Sequence, residues 1–218
     1  MGTNNKFDKK ARRSDSFRRK RANLVPYERI LIACEGEKTE PKYFKKLCQR
    51  FGLNPRNVVI ADKRHGLDPM SLVKYALDEN TKDHDFDHVF IVFDQDKHKT
   101  YHAAIDMIIA PRKKKKPSLH PITSIPCFEI WLLLHFIYTS KPFCAACDDS
   151  NCDLVISDLK KYIPDYEKAA ENILIDDERL DFAINNAKNL ETFHKTSGTD
   201  NPSTRIYQLV EHLKRLKR

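Results

Sequence analysis

The sequence predicts an α/β protein: a parallel-rich sheet flanked by helices, followed by an α-helical extension. Three observations predict it. Short apolar runs without helical spacing, such as "RILIAC" (29–34) and "HVFIVF" (88–93), read as buried strands. Amphipathic stretches long enough for a helix separate them, as βαβ connections require. After Tyr138 the strand-like runs stop and helical patterns take over.

Taken in order, residues 1–26 are polar and charged, with Phe7 and Phe17 among the few apolar side chains, and are expected to form a disordered basic arm. A catalytic core is expected over 27–138. "RILIAC" is its first strand and "EGEKTE" the turn after it. Pro41 suits the first turn of a helix that buries Tyr43, Phe44, Leu47, Cys48 and Phe51. "NVVIA" (57–61) is a second strand. In 68–82, Met70, Val73, Ala76 and Leu77 fall at helical spacing, with Asp68 placed to cap the start. Strand "HVFIVF" follows, then a helix over 99–110 with Ala103, Ala104, Met107 and Ile108 inward. "HPITSIP" (120–126) is a fourth strand and "CFEIWLLLHF" (127–136) a buried helix containing Trp131. The extension, 139–218, opens with the loop "TSKPFCAACDDSNCD", continues with helices within 153–195, and uses "DNPST" to start a final helix, "RIYQLVEHLKRLKR". There is no internal repeat.

Composition narrows the function classes. The longest apolar runs, Val89 to Phe93 and Ile130 to Leu134, are far short of the roughly 20 residues that span a bilayer. With a charged, polar N-terminus, the expectation is a soluble, cytoplasmic protein without a membrane partner. Six scattered cysteines suit mostly free, buried thiols in a reducing compartment. The net charge of +8 is uneven: residues 1–21 carry +7, the run 112–116 +5 and 214–218 +4, which leaves −8 for everything else. Basic appendages around an acidic body suit a protein that attracts phosphates outside and holds cations inside, although terminal charge runs are often only solvated tails.

The acids fall at the ends of strands. Glu35 follows the first strand, Asp94 and Asp96 close "VFIVFDQD", and Glu129 comes just after the fourth. In parallel sheets ligands bind beyond the carboxyl ends of the strands. Residues two apart on a strand project to one side, so Asp94 and Asp96 repel unless a cation lies between them. Converging carboxylates are hard ligands of the kind that hold Mg²⁺ or Mn²⁺, and a pair of such ions roughly 3.5–4 Å apart assists phosphodiester hydrolysis. The bland alternative is unrelated strand-end acids. Gly36 permits a tight turn before the helix, whose first amides can receive an anion.

Four blocks carry a resemblance: "ILIACEGEKTEPKYF" (30–44), "VFIVFDQDKH" (89–98), "SIPCFEIWLLLHF" (124–136) and "NPSTRIYQLVEHL" (201–213). Through them the chain resembles the RloB family of bacterial abortive-infection and restriction-linked proteins. The first two blocks are similar to the Toprim pattern of topoisomerases, primases and OLD-type nucleases. The resemblance implies a Toprim-like core in which Glu35 matches the Toprim glutamate and Asp94 and Asp96 the Asp-x-Asp. Glu129 resembles the extra acidic ligand of the OLD-type site. That site also has an acid four places after the first glutamate; here Thr39 stands there, between Glu37 and Glu40, and either neighbour is a candidate assistant. An ATPase partner protein is implied by the resemblance alone.

The combined expectation is a Mg²⁺- or Mn²⁺-dependent nuclease, with two ions, acting on RNA or DNA as an anti-phage effector. Glu35, Asp94, Asp96 and Glu129 would be both metal ligands and catalytic residues. Lys38 and His98 are candidates to meet a phosphate or move a proton, each balanced by an ordinary surface role. Arg12, Arg13, Arg18 and Arg19 of the arm, with Arg112, Lys113, Lys114, Lys115 and Lys116, would contact the nucleic-acid backbone. The competing expectation is a non-catalytic module that binds nucleic acid or an ATPase. A structural Zn²⁺ at Cys144, Cys147 and Cys152, completed by Cys127 or His135, is the lesser possibility, because a lone Cys-x-x-Cys in a loop is ambiguous. His84 and His88, in "DHDFDHV" (83–89), precede their strand and read as a polar loop at the end of the sheet away from the acids.

Overall fold

A computed structural model of the chain describes residues 27–61, 67–82, 86–95, 98–111, 117–145, 150–168 and 176–217. Four parallel strands form the sheet: β1 (Ile30–Cys34), β2 (Val58–Ala61), β3 (His88–Asp94) and β4 (Ser118–Ile125). A two-residue strand, β5 (Ser203–Thr204), pairs antiparallel with the end of β4, giving the order β2-β1-β3-β4-β5. Every residue of β1 is buried, as expected of a strand with helices on both faces.

Alternation along the strands divides the core in two. Leu31, Ala33, Val89, Ile91 and Phe93 point to the side covered by α2 (Pro69–Lys82) and α3 (Tyr101–Ile109). Ile30, Ile32, Cys34, Phe90 and Val92 point to the other, where they meet Tyr43, Phe44 and Leu47 of α1 (Thr39–Arg50). That second cluster continues through α4 (Glu129–Leu133) and α5 (Asn151–Leu159) into α6 (Asp177–Ser197) and α7 (Ile206–Leu216), so the helices after residue 139 share one apolar core with the sheet. Trp131 is completely buried there. Among the described residues no helix is long and apolar enough to cross a membrane.

The departures from expectation have local causes. The stretch expected to be helical over 127–136 forms only the five-residue α4 followed by turns. The helices expected within 153–195 are, among the described residues, α5 and α6, each started by its own cap: the Ser150 hydroxyl accepts from the Asp153 amide, and the Asp176 carboxylate accepts from the Arg179 amide. α6 ends at Gly198, whose φ of 69° is the left-handed conformation that glycine adopts freely. "DNPST" does more than start a helix. Thr204 accepts from the Ile206 amide at 3.2 Å, but it first pairs with Ser124 as β5.

Candidate metal centre

The strand order reverses between β2-β1 and β3-β4, so the topological switch point lies between β1 and β3. Adjacent parallel strands whose crossovers leave to opposite faces open a crevice there, beyond their carboxyl ends. Glu35 and Asp94 stand at that crevice. The Glu35 amide extends the ladder by donating to Val92 O at 2.9 Å. Its side chain turns across the gap, and Oε2 accepts from the Asp94 amide at 3.0 Å. The other carboxylate oxygen, Oε1, lies 3.1 Å from His98 Nε2. Asp94 Oδ2 accepts in turn from the Phe128 amide at 3.0 Å, which ties the end of β3 to the start of α4.

Two more carboxyls reach the same place from helices. Glu40, in the first turn of α1, is buried, while Glu37 is exposed on the turn before it. The Glu40 carboxyl packs so tightly on Gly36 that a Cβ built there would overlap it, which is the physical reason for glycine in "CEGE". Glu129 opens α4 and is 4% exposed. Its Oε1 accepts from the Tyr166 hydroxyl at 3.1 Å. Cys152 Sγ lies 3.4 Å from its Oε2, but that sulfur is bonded to Cys127 and has no proton to donate. Glu35, Glu40, Asp94 and Glu129 line one cavity of about 430 Å³, with Lys38, His98 and Lys168 also on its wall. An adjoining cavity of about 440 Å³ shares Asp94 and Lys168 and runs toward Asn151 and Asn201.

The electrostatics follow from crowding. Burial, then the charges of Glu129 and Glu35, push the Glu40 carboxyl up to about 7, against the backbone amides of Glu40 and Gly36 that donate to it. Burial, then the charges of Glu40 and Glu129, hold Asp94 well above the ordinary carboxylate range. Burial and Glu129 likewise raise the Tyr166 hydroxyl, keeping it a donor. Acids this close relieve their repulsion by keeping protons or by sharing a cation. The donors are all carboxylate oxygens, which suits Mg²⁺ or Mn²⁺ over softer metals. Among the described residues no three of these carboxylates bring oxygens within 4.8 Å of one another. They face the cavity at wider spacing, and Mg²⁺, which keeps several waters, can be bound by one or two of them directly.

Glu35, Asp94 and Glu129 are thus brought together, and of the two candidate assistants Glu40 faces the cavity from a buried position. Lys38, at the cap of α1, and His98 are exposed beside it. Asp96, Arg12, Arg13, Arg18, Arg19, Arg112 and Lys113 to Lys116 lie outside the described residues, as do His84 and Cys147. Of the remaining cysteines, Cys34, Cys48 and Cys144 stand outside any disulfide, whereas Cys127 and Cys152 are joined in one. The disulfide joins the start of α4 to α5 and removes Cys127 and Cys152 as thiolate ligands for zinc; of the thiols expected to be buried, Cys34 is buried and Cys144 is exposed. His135 is turned into the core, with Nδ1 2.9 Å from Trp131 O. Sequence reasoning missed Tyr166 and Lys168, which come from the segment after α5. A buried tyrosine needs a hydroxyl partner, yet nothing in "PDYEK" names Glu129.

Fold and site together define an α/β protein with a buried acidic centre at the carboxyl edge of a parallel sheet. A family model described as RloB-like protein matches residues 30–213, and the chain belongs to that family. No curated protein and no solved structure gives a significant match.

Proposed function

We propose that this chain is a Toprim-type nuclease that hydrolyses phosphodiester bonds of RNA or DNA with Mg²⁺ or Mn²⁺. The observation that carries the reading is the meeting of Glu35, Glu40, Asp94 and Glu129 in one cavity at the switch point of the sheet. Glu35, Asp94 and Glu129, with Asp96, are the ligands of choice for the ions. Bound there, divalent ions supply an activated water and charge stabilisation on the leaving oxygen. The remaining tasks fall to the chain. Glu40, with its carboxyl at about 7, holds or releases a proton near neutral pH. His98, bonded to Glu35 Oε1, orients that carboxylate and stands where a phosphate enters. Lys168 and Lys38 offer positive charge on the cavity wall, and the basic arm and the 112–116 run recruit the nucleic-acid backbone.

The resemblance to the RloB family supports reading the chain as a cytoplasmic effector of an anti-phage abortive-infection system that works with an ATPase partner. The test uses the full chain with Mn²⁺ and a mixture of DNA and RNA, beside Glu35→Gln and Asp94→Asn proteins checked for native circular dichroism. Cleavage that falls at least about 100-fold in both variants supports the nuclease. Undiminished cleavage by the variants refutes it, as does inactivity of the wild type with the ATPase present. Binding without cleavage by all three proteins identifies a non-catalytic module.

A further inference from the structure

At the opposite end of β3 lies a second constellation. His88 opens the strand that Asp94 closes, and the rise of about 3.3 Å per residue along that strand separates the two centres by about 20 Å. His120 of β4 and His212 of α7 stand beside His88, and Glu28, two residues before β1, completes the group. Glu28 Oε2 is 2.9 Å from His212 Nε2 and 3.8 Å from His88 Nε2. All three donor atoms lie within 4.8 Å of one another.

We propose that Glu28, His88 and His212 bind a divalent transition metal, Zn²⁺ in the first place, at a site separate from the acidic centre. Ligands about 2.0–2.1 Å from a tetrahedral zinc stand about 3.3 Å apart. The two spacings to Glu28 bracket that value, so small side-chain rotations close the site. Its chemistry differs from that of the acidic centre: two imidazoles and one carboxylate favour zinc or copper over magnesium.

The surroundings prepare the ligands. His120 Nε2 is 3.0 Å from His88 Nδ1. With the His88 proton on Nδ1 and His120 accepting it, the His88 Nε2 lone pair turns toward Glu28, the outer support that metal-bound histidines ordinarily have. His120 is itself stacked on Phe90, ring centroids 4.5 Å apart, which sets its plane. One group opposes the site. Arg215 Nη2 is 3.1 Å from His212 Nδ1, and since arginine only donates, that contact puts the His212 proton on Nε2. Metal binding moves this proton to Nδ1 and releases the exposed Arg215. The ion would clip the segment before β1 and helix α7 to the amino-terminal end of β3.

The test measures Zn²⁺ per chain after chelator stripping and dialysis of the full protein. Wild type should hold one equivalent more than His88→Gln and than Glu28→Gln, the latter an exposed position that leaves the core intact. Affinity for that equivalent should fall at least about 10-fold in Glu28→Gln and rise in Arg215→Met. Co²⁺ in its place should show visible bands without thiolate charge transfer, which separates it from the cysteines. Equal stoichiometry and affinity in wild type and Glu28→Gln would overturn the proposal, and so would unchanged affinity in Arg215→Met. Divalent binding at Glu35 and Asp94 is unaffected by either outcome.

Discussion

Replacing Glu40 by glutamine tests the claim that the acidic centre is strained by its own charge. The Glu40 carboxyl is raised from 4.5 to about 7, chiefly by burial and then by Glu129 and Glu35. Between those pH values the folded protein keeps a proton that the unfolded chain has lost. The stability this contributes is complete below about 4.5 and disappears as pH rises to about 7. Two and a half pH units at 1.36 kcal/mol each amount to about 3 kcal/mol. Glutamine keeps the shape and stays neutral, so the metal-free variant should lose about 2.5 kcal/mol less than wild type between pH 5 and 8, the part of that contribution which falls in this window. Asp94 gains as well, because Glu40 is the largest neighbouring charge acting on it. Urea unfolding in chelator at both pH values measures the difference. Mg²⁺ should stabilise the wild type at pH 8 and the variant much less. Parallel pH profiles for the two proteins, agreeing within about 0.5 kcal/mol, would refute the crowding argument.

Two further outcomes are expected. In Gly36→Ala the new methyl group displaces the Glu40 carboxyl, which should weaken Mn²⁺ binding about 10-fold in calorimetry and cost about 1–3 kcal/mol of stability; unchanged Mn²⁺ affinity counts against Glu40 as part of the centre. Burial lowers His135 from 6.5 to about 4, so the stability it contributes is present above 6.5 and is lost as pH falls toward 4, again about 3 kcal/mol. His135→Gln should therefore show a shallower loss between pH 7 and 4.5 in urea midpoints, and an acid limb as steep as that of the wild type would contradict that burial.

The amino-acid sequence by itself determined the strand–helix alternation, because strands buried on both faces must be continuously apolar and their connecting helices amphipathic. It also determined that Glu35, Asp94 and Glu129 reach one edge, since parallel strands all end on the same side. Tertiary structure decided what depends on angles and distant partners. Glu40 and Glu37 are three residues apart, and where α1 begins, at Thr39, sets which of them is buried. Tyr166 meets Glu129 only because the segment after α5 folds back over α4. His88 looked like part of a polar loop; His212, 124 positions later on α7, and Glu28 before β1 come to it only when the sheet and its last helix are assembled. Local spacing encodes periodicity, whereas these contacts are set by packing between segments far apart in the chain.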